Sequence, residues 1–168
     1  TDCLDTDPGH YAGGSANSDQ TPCPEGTYIN ATQTTACTPA PQNTYANGTG
    51  NINPSPCPLG TATIGQSATS SNDCLMDSDE DGTPNETDND DDNDGVIDND
   101  DDCSKGSKNW VSRSQPPATD HDSDGCRDGS EDEDDDNDGV LDTFDACPVG
   151  YVNWEAVTSN GNPGPNDL

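Results

Sequence analysis

The chain has 168 residues and a formal net charge of -31, and only 25% of its residues are hydrophobic and 4% aromatic. Such a chain buries too little apolar area to offset the conformational entropy lost on folding, so composition alone predicts disorder. Eight cysteines instead predict disulfides, which persist in oxidising, extracellular compartments. The negative charge excludes nucleic acid as a partner because phosphate would be repelled. There is also no run of about 20 apolar residues to insert in a membrane.

Charge divides the chain into regions. Residues 77–145 contain 27 of the 35 acidic residues and all four basic ones, whereas residues 1–76 contain six acids and neither Lys nor Arg. We therefore predict a cysteine-rich region at 1–76, an acidic region at 77–150 and a linker to a following unit at 151–168. Because the chain begins at Thr1 without a Met or a signal peptide, we expect a mature chain or a segment of a longer one.

A 17-residue repeat runs through the first region. Tyr11, Tyr28 and Tyr45 are each 17 residues apart. One phase of the same repeat is occupied by Gly9, Gly26, Asn43 and Gly60. Glycine and asparagine are the residues that best tolerate a left-handed backbone, so each repeat is expected to begin with a tight turn.

The segments Cys23-Pro-Glu-Gly-Thr-Tyr28 and Cys57-Pro-Leu-Gly-Thr61 carry a family resemblance. They are similar to the Cys-Pro-x-Gly-Thr-Tyr repeats of ephrin-receptor-like and tumour-necrosis-factor-receptor-like cysteine-rich modules, and the resemblance covers residues 3–74. It implies an elongated ladder of short two-stranded pieces with little core, and the disulfides Cys23–Cys37 and Cys57–Cys74. The intervening bridges of that pattern would need cysteines at four positions, and both ends of each bridge are absent together, which supports the pairing. Those positions hold Thr6, Gln20, Ala40 and Pro54.

Four 12-residue windows in the acidic region follow one rule. Each has an oxygen-bearing side chain at positions 1, 3, 5, 9 and 12, and Gly at position 6. The predicted ligands are Asp77, Asp79, Asp81, Asn85 and Asp88; Asp90, Asp92, Asp94, Asp98 and Asp101; Asp120, Asp122, Asp124, Asp128 and Glu131; and Asp134, Asp136, Asp138, Asp142 and Asp145.

This pattern predicts calcium binding. Calcium takes 6–8 oxygen ligands, and Gly at position 6 permits the sharp turn that brings in the backbone carbonyl of position 7. Magnesium fits less well because it resists losing its waters. A solvated acidic tail is disfavoured, since four copies keep the same register. Ordinary EF-hands are disfavoured too, because the loops follow each other without helical flanks.

Residues 77–150 resemble thrombospondin type 3 repeats, in which a chain without regular secondary structure winds around a line of calcium ions. A 44-residue superperiod relates Cys103 to Cys147 and Trp110 to Trp154. The resemblance implies a Cys103–Cys126 disulfide. It also implies at least four calcium ions, and about eight if adjacent ions share carboxylates. The predicted fold is therefore small, stabilised by disulfides and calcium and poor in regular secondary structure: an elongated repeat rod with short β-hairpin rungs in its N-terminal half.

Two cysteines, Cys3 and Cys147, remain without an implied partner. We hypothesise that Cys147 bonds Cys3 of a following copy, so that units join head to tail, either as separate chains or within one long polypeptide. The alternative is a fragment whose end cysteines pair with flanking segments or with each other.

Three sequons predict N-linked glycans at Asn30, Asn47 and Asn85. Asn85 is the weaker candidate because it also occupies position 9 of the first acidic loop. Ser- and Thr-rich stretches further predict O-linked glycans.

The predicted function is structural: a secreted or cell-surface, calcium-binding, glycosylated unit of a rod or fibre. The alternative is an adhesin or receptor-type binding module on a calcium-stiffened stalk. An enzyme is disfavoured because the sequence has no nucleophile–base pair, no phosphate-binding loop and no metal motif with an open catalytic position.

Overall fold

A computed structural model describes residues 6–13 and 19–152. The chain divides into two units, one ending at Asp88 and the other beginning at Asn89. The first acidic loop therefore belongs to the same unit as the cysteine-rich repeats, and the other three acidic loops belong to the second unit. Most of the predicted linker, residues 153–168, lies outside the described residues, as do Cys3 and Trp154.

Four antiparallel two-stranded hairpins form the first unit, and a short 3-10 helix spans Ser71–Asp73. The pairs are β1 (His10–Tyr11) with β2 (Thr21–Pro22), β3 (Thr27–Tyr28) with β4 (Thr38–Pro39), β5 (Thr44–Tyr45) with β6 (Ser55–Pro56), and β7 (Thr61–Ala62) with β8 (Leu75–Met76). The predicted hairpin rungs and the scarcity of regular structure are confirmed.

A shared turn opens each rung. The residues at the glycine phase of the repeat all have left-handed backbone, with φ of 84° at Gly9, 75° at Gly26, 63° at Asn43 and 72° at Gly60. In the turn before β3, both the backbone N–H and the hydroxyl of Thr27 donate to the carbonyl of Pro24, at 3.2 and 2.7 Å. Thr44 and Thr61 repeat this arrangement in the next two rungs. The predicted tight turns are confirmed.

Backbone hydrogen bonds and small side chains connect successive rungs. Gly26 donates to the carbonyl of Ala46 at 2.8 Å, and its own carbonyl accepts from Ala40 at 2.9 Å. A Cβ at Gly26 would lie 2.5 Å from the carbonyl oxygen of Ser67, so the close approach requires glycine. Small apolar residues, each at most 1% exposed, are buried in this unit: Cys23, Ala40, Ala46 and Ala62.

Three disulfides have the pairings that the two resemblances imply: Cys23–Cys37, Cys57–Cys74 and Cys103–Cys126. Cys147 is a half-buried free thiol. The two bridges of the first unit close loops of 14 and 17 residues and the third closes one of 23. They stabilise the fold chiefly by restricting the unfolded chain.

The described part of the second unit, residues 89–152, contains neither a helix nor a strand. Its interior is made largely of carboxylates, because Asp92, Asp94, Asp120 and Asp136 are at most 2% exposed, while Trp110 is 8% exposed. Charged residues are almost never buried in this way unless they are paired or bind metal. Within the described residues, no helix is long and apolar enough to cross a membrane.

Candidate metal centre

The four acidic loops share one backbone conformation. Position 4 is left-handed in each loop, with φ between 56° and 68°, and the Gly at position 6 has φ between 88° and 100°. The position-4 residues are Glu80, Asn93, Ser123 and Asn137, and the position-6 residues are Gly82, Gly95, Gly125 and Gly139. Two left-handed residues so close together curl the chain into a tight loop, and glycine takes the more strained of the two positions without steric cost.

Carboxylates at positions 1 and 5 fix this turn. The position-1 carboxylate accepts the N–H of the position-6 glycine at 2.9–3.2 Å in all four loops. The position-5 carboxylate accepts the N–H of position 7 at 2.7–2.8 Å, again in all four. Short Asp side chains make such local bonds readily, so the sequence rule itself imposes the loop shape.

Position 9 acts as a brace. Its side-chain oxygen accepts the N–H of position 2 at 2.8–3.0 Å in every loop. The backbone N–H of position 9 also donates to the residue that precedes position 1, at 2.9–3.0 Å. The brace residues are Asn85, Asp98, Asp128 and Asp142. One oxygen of each is thus committed to holding its own loop closed.

The remaining carboxylate oxygens converge. In each of the four loops, one oxygen from each of positions 1, 3 and 5 lies within 4.8 Å of the other two. At an effective dielectric constant of about 20, two unit charges at that distance repel by about 3 kcal/mol. Three ionised carboxylates therefore need a bound cation or protons to remain together.

Buried carboxylate oxygens without hydrogen bonds indicate whether the clusters favour a cation or protons. Several aspartates have one or both oxygens inaccessible to solvent and without a hydrogen bond from the described protein groups, among them Asp77, Asp94, Asp101, Asp122, Asp132 and Asp135. Burial of an unsatisfied carboxylate oxygen is costly. A hard, oxygen-seeking dication such as calcium satisfies such oxygens directly, so the donor set fits calcium.

Burial also perturbs the acidity of these groups. Desolvation, with a further contribution from neighbouring aspartate charges, raises the pKa of Asp101 and of Asp122 to about 7. The same causes raise the pKa of Asp92 to about 6. Protons therefore compete for these oxygens at mildly acidic pH unless a cation binds.

The predicted position-12 ligands lie outside the three-carboxylate clusters. Asp101 and Asp145 each accept the N–H of the cysteine two residues later, at 2.7 and 3.0 Å. Glu131 accepts the Ser107 N–H with both oxygens, at 2.8 and 2.9 Å, so its carboxylate lies against the segment that follows the second loop. The structure thus brings together positions 1, 3 and 5 in each loop, while position 9 closes the loop and three of the position-12 carboxylates accept backbone N–H groups.

Sequence reasoning missed one further group. Asp128, Asp132 and Asp135 also place three oxygens within 4.8 Å of one another, and neither Asp132 nor Asp135 was a predicted ligand. The available signal was an Asp at position 2 of both the second and fourth loops, Asp91 and Asp135. Position 2 is not among the ligand positions of the 12-residue rule, so the rule omits both residues.

The three sequons lie in different environments. Asn30 and Asn47 are exposed. Asn85 is held inside the first acidic loop, where its Oδ1 accepts the Ser78 N–H and its Nδ2 donates to the Ser78 hydroxyl, both at 2.8 Å. Asn85 is also half-buried, so a glycan on its Nδ2 would have to fit beside the Ser78 contact inside the loop.

Comparison with known families gives one match. Residues 26–74 match the family model described as "Tyrosine-protein kinase ephrin type A/B receptor-like", and the match ends at Cys74, before the first acidic loop. A search of curated proteins finds no match. The chain therefore contains an ephrin-receptor-like cysteine-rich region. Together with the three disulfides, this region indicates a secreted or extracellular protein.

Proposed function

We propose that this protein is a structural, calcium-binding extracellular protein without enzymatic activity, in which calcium fastens the acidic loops of a glycosylated rod. The observation that carries the proposal is the repeated loop geometry. Four loops share the same backbone turn and the same hydrogen bonds, and each brings three carboxylates within 4.8 Å. Resemblance to thrombospondin type 3 repeats supports the same reading.

Calcium counting tests this proposal. Equilibrium dialysis of the full chain should give at least four bound calcium ions, with about eight if carboxylates are shared, and magnesium should displace them poorly because it resists dehydration. The variant Asp94→Asn changes a position-5 carboxylate that is 0% exposed and should weaken binding at the second loop at least about tenfold, or about 1.4 kcal/mol.

The exposed Asp100 provides the matched control, because it lies in the same loop outside the predicted ligand positions. Asp100→Asn removes the same charge and should leave the ion count and affinity nearly unchanged. Equal losses in the two variants would mean that the chain attracts calcium only through its net charge. A wild-type chain that binds no calcium would refute the proposal outright.

Head-to-tail assembly is the second part of the proposal, and the internal repeat supports it. Cys147 donates its N–H to Asp145, as Cys103 does to Asp101. Three residues further on, Gly150 donates to Asp136 at 2.6 Å, as Gly106 does to Asp92 at 2.9 Å. Since Cys147 has the backbone setting of the disulfide-bonded Cys103, we propose that it bonds Cys3 of another copy.

Non-reducing electrophoresis tests the assembly. The purified full chain should run as a ladder of multimers that collapses on reduction, and Cys147→Ser should remove the ladder while leaving the calcium count intact. A wild-type monomer band with two titratable thiols would contradict a disulfide between copies. Electron microscopy of the same samples would show whether the multimers are fibres.

Glycans form the third part of the proposal. Exposure of Asn30 and Asn47 supports attachment there, whereas the bonds between Asn85 and Ser78 disfavour attachment at Asn85 in the folded loop. Mass spectrometry of the secreted protein before and after N-glycosidase should locate mass losses at the first two sites. O-linked glycans would remain after that enzyme. An unchanged mass would remove N-glycosylation from the proposal.

A receptor-type or adhesive binding role is the second candidate. The family match over residues 26–74 favours it, as do three exposed apolar side chains of the first unit, namely Leu59 (91% exposed), Ile64 (59%) and Met76 (65%). Flow cytometry with the labelled full chain tests this role. Cell binding that is lost in Leu59→Ser but kept in the exposed polar control Gln66→Ser would support adhesion through this surface.

A further inference from the structure

A group of three carboxylates lies where the third acidic loop meets the fourth. Asp128 is position 9 of the third loop, Asp132 follows that loop directly, and Asp135 is position 2 of the fourth loop. One oxygen from each lies within 4.8 Å of the other two. The group is therefore as tightly converged as the clusters inside the loops, although it belongs to neither 12-residue pattern.

Parts of this group are deeply buried. Asp135 is only 8% exposed, and its Oδ1 is inaccessible to solvent and accepts no hydrogen bond from the described protein groups. Oδ2 of Asp132 is in the same condition. Two buried carboxylate oxygens without donors, beside a third carboxylate, are strongly unfavourable unless a cation binds them.

Local backbone contacts hold the side chains in place. Asp128 Oδ1 accepts the N–H of His121, and Asp132 Oδ1 accepts the N–H of Asp134, both at 2.9 Å. Each of these carboxylates is thus oriented by one oxygen and has a second oxygen for a ligand. Asp132 also lines a surface pocket of about 370 Å³.

The second loop provides an internal contrast. Asp91 is its position-2 residue, equivalent to Asp135, and is similarly buried at 5% exposure. The ammonium of Lys105 lies 3.6 Å from Asp91 Oδ2. Moreover, the first loop, which precedes Asp91, has the neutral Asn85 at position 9, whereas the third loop, which precedes Asp135, has Asp128 at that position. A lysine supplies positive charge at Asp91, whereas two further carboxylates converge on Asp135.

From these observations we infer that Asp128, Asp132 and Asp135 form an additional calcium site between the third and fourth loops. The inference rests on the proposed calcium-binding function and extends it to residues outside the 12-residue pattern. The three carboxylates supply three converging oxygens, and water would complete the 6–8 ligands that calcium takes. The ion would join the two loops to each other, in addition to the ions that fasten each loop separately.

The test compares calcium stoichiometry in matched variants of the full chain. Asp132→Asn and Asp135→Asn keep the side-chain shape and a carbonyl oxygen but remove the charge. Each should bind one calcium ion fewer than the wild type in equilibrium dialysis with metal analysis. Hydrogen exchange should show that the turn at 128–135 has become less protected in saturating calcium.

Two controls make the outcome decisive. Glu133→Gln removes one charge from an exposed residue of the same run, and Asp91→Asn changes the equivalent position of the second loop; both should retain the wild-type count. An unchanged count in Asp132→Asn and Asp135→Asn would overturn the additional site while leaving the loop sites standing. A wild-type chain without bound calcium would instead overturn the proposed function.

Discussion

The cysteine-rich repeats and the acidic loops hold their folds without a large apolar core, and they do so by opposite means. In the repeats, the buried side chains are small and uncharged, namely cysteine, alanine and threonine, and the rungs are joined by backbone hydrogen bonds and two disulfides. In residues 89–152, the most deeply buried side chains are aspartates such as Asp94 and Asp120. One region buries neutral groups that satisfy each other, and the other buries like charges.

This difference determines what each region depends on. Covalent cross-links and backbone bonds are internal to the chain, so the repeats should remain folded whatever ions the solution contains. The acidic loops carry more negative charge than the four basic residues of the chain can offset, so an external cation or protons must offset the rest. We therefore expect the repeats to respond to reducing agents and the acidic loops to respond to calcium.

Removal of a disulfide should have the largest effect, and it should destabilise only the region that contains the bridge. Cys57→Ser with Cys74→Ser removes a bridge of 17-residue separation and should destabilise the first unit by about 3 kcal/mol. In saturating calcium, hydrogen exchange should accelerate across the rungs at 55–76 and remain slow in residues 90–145. The matched pair Cys103→Ser with Cys126→Ser should show the reverse. Acceleration of both regions in both variants would mean that they do not fold separately.

Alanine substitution at two equivalent glycines should give the next largest effect on stability. Gly125 and Gly95 both occupy position 6 with left-handed φ, of 89° and 100°. A Cβ at Gly125 would collide with the carboxylate of Asp101, whereas a Cβ at Gly95 has no described atom within 4 Å. Alanine should cost about 1–2 kcal/mol of backbone strain at either position, with a further loss at Gly125 only.

Chemical denaturation of the calcium-saturated full chain measures that difference. Gly125→Ala should unfold at a lower denaturant concentration than Gly95→Ala, because Asp101 would have to move. Equal midpoints would show that the Asp101 contact does not constrain the third loop.

A smaller, graded effect should follow pH when calcium is absent. The pKa of Asp101 and of Asp122 is raised from 3.8 to about 7 by burial. Between about pH 4 and about pH 7 the folded loops therefore bind more protons than the unfolded chain, so their stability falls as the pH rises through this range. In chelator, the hydrodynamic radius should therefore increase over that range, and saturating calcium should suppress the increase. A radius independent of pH in chelator would contradict the burial of these carboxylates.

Short-range features were predictable from sequence because they depend on nearby residues. The phase of Gly9 and Gly26 specifies the tight turns, and Asp at positions 1 and 5 closes each acidic loop through local bonds. The ephrin-receptor-like pattern likewise implied the Cys23–Cys37 pairing. Such features repeat at a fixed spacing, which makes them visible in one sequence.

Contacts between distant segments were not predictable. Asn43 donates to the carbonyl of Gly82 at 3.2 Å, which packs the first acidic loop against the repeats, although composition places a boundary between them. Glu131 binds Ser107, 24 residues away, instead of joining its own loop cluster. Asp135 converges with Asp128 because two loops meet. These contacts depend on how the loops pack, and no spacing rule within one loop contains that information.

Hydrogen exchange of the full chain, in saturating calcium and in chelator, tests the central claim most directly. We predict that chelation abolishes protection at the position-2 and position-6 amides of the acidic loops in residues 90–145. Protection of the rungs from Thr27 to Pro56 should persist. Loss in both regions, or retention in both, would contradict the claim that calcium holds the acidic loops while disulfides and backbone bonds hold the repeats.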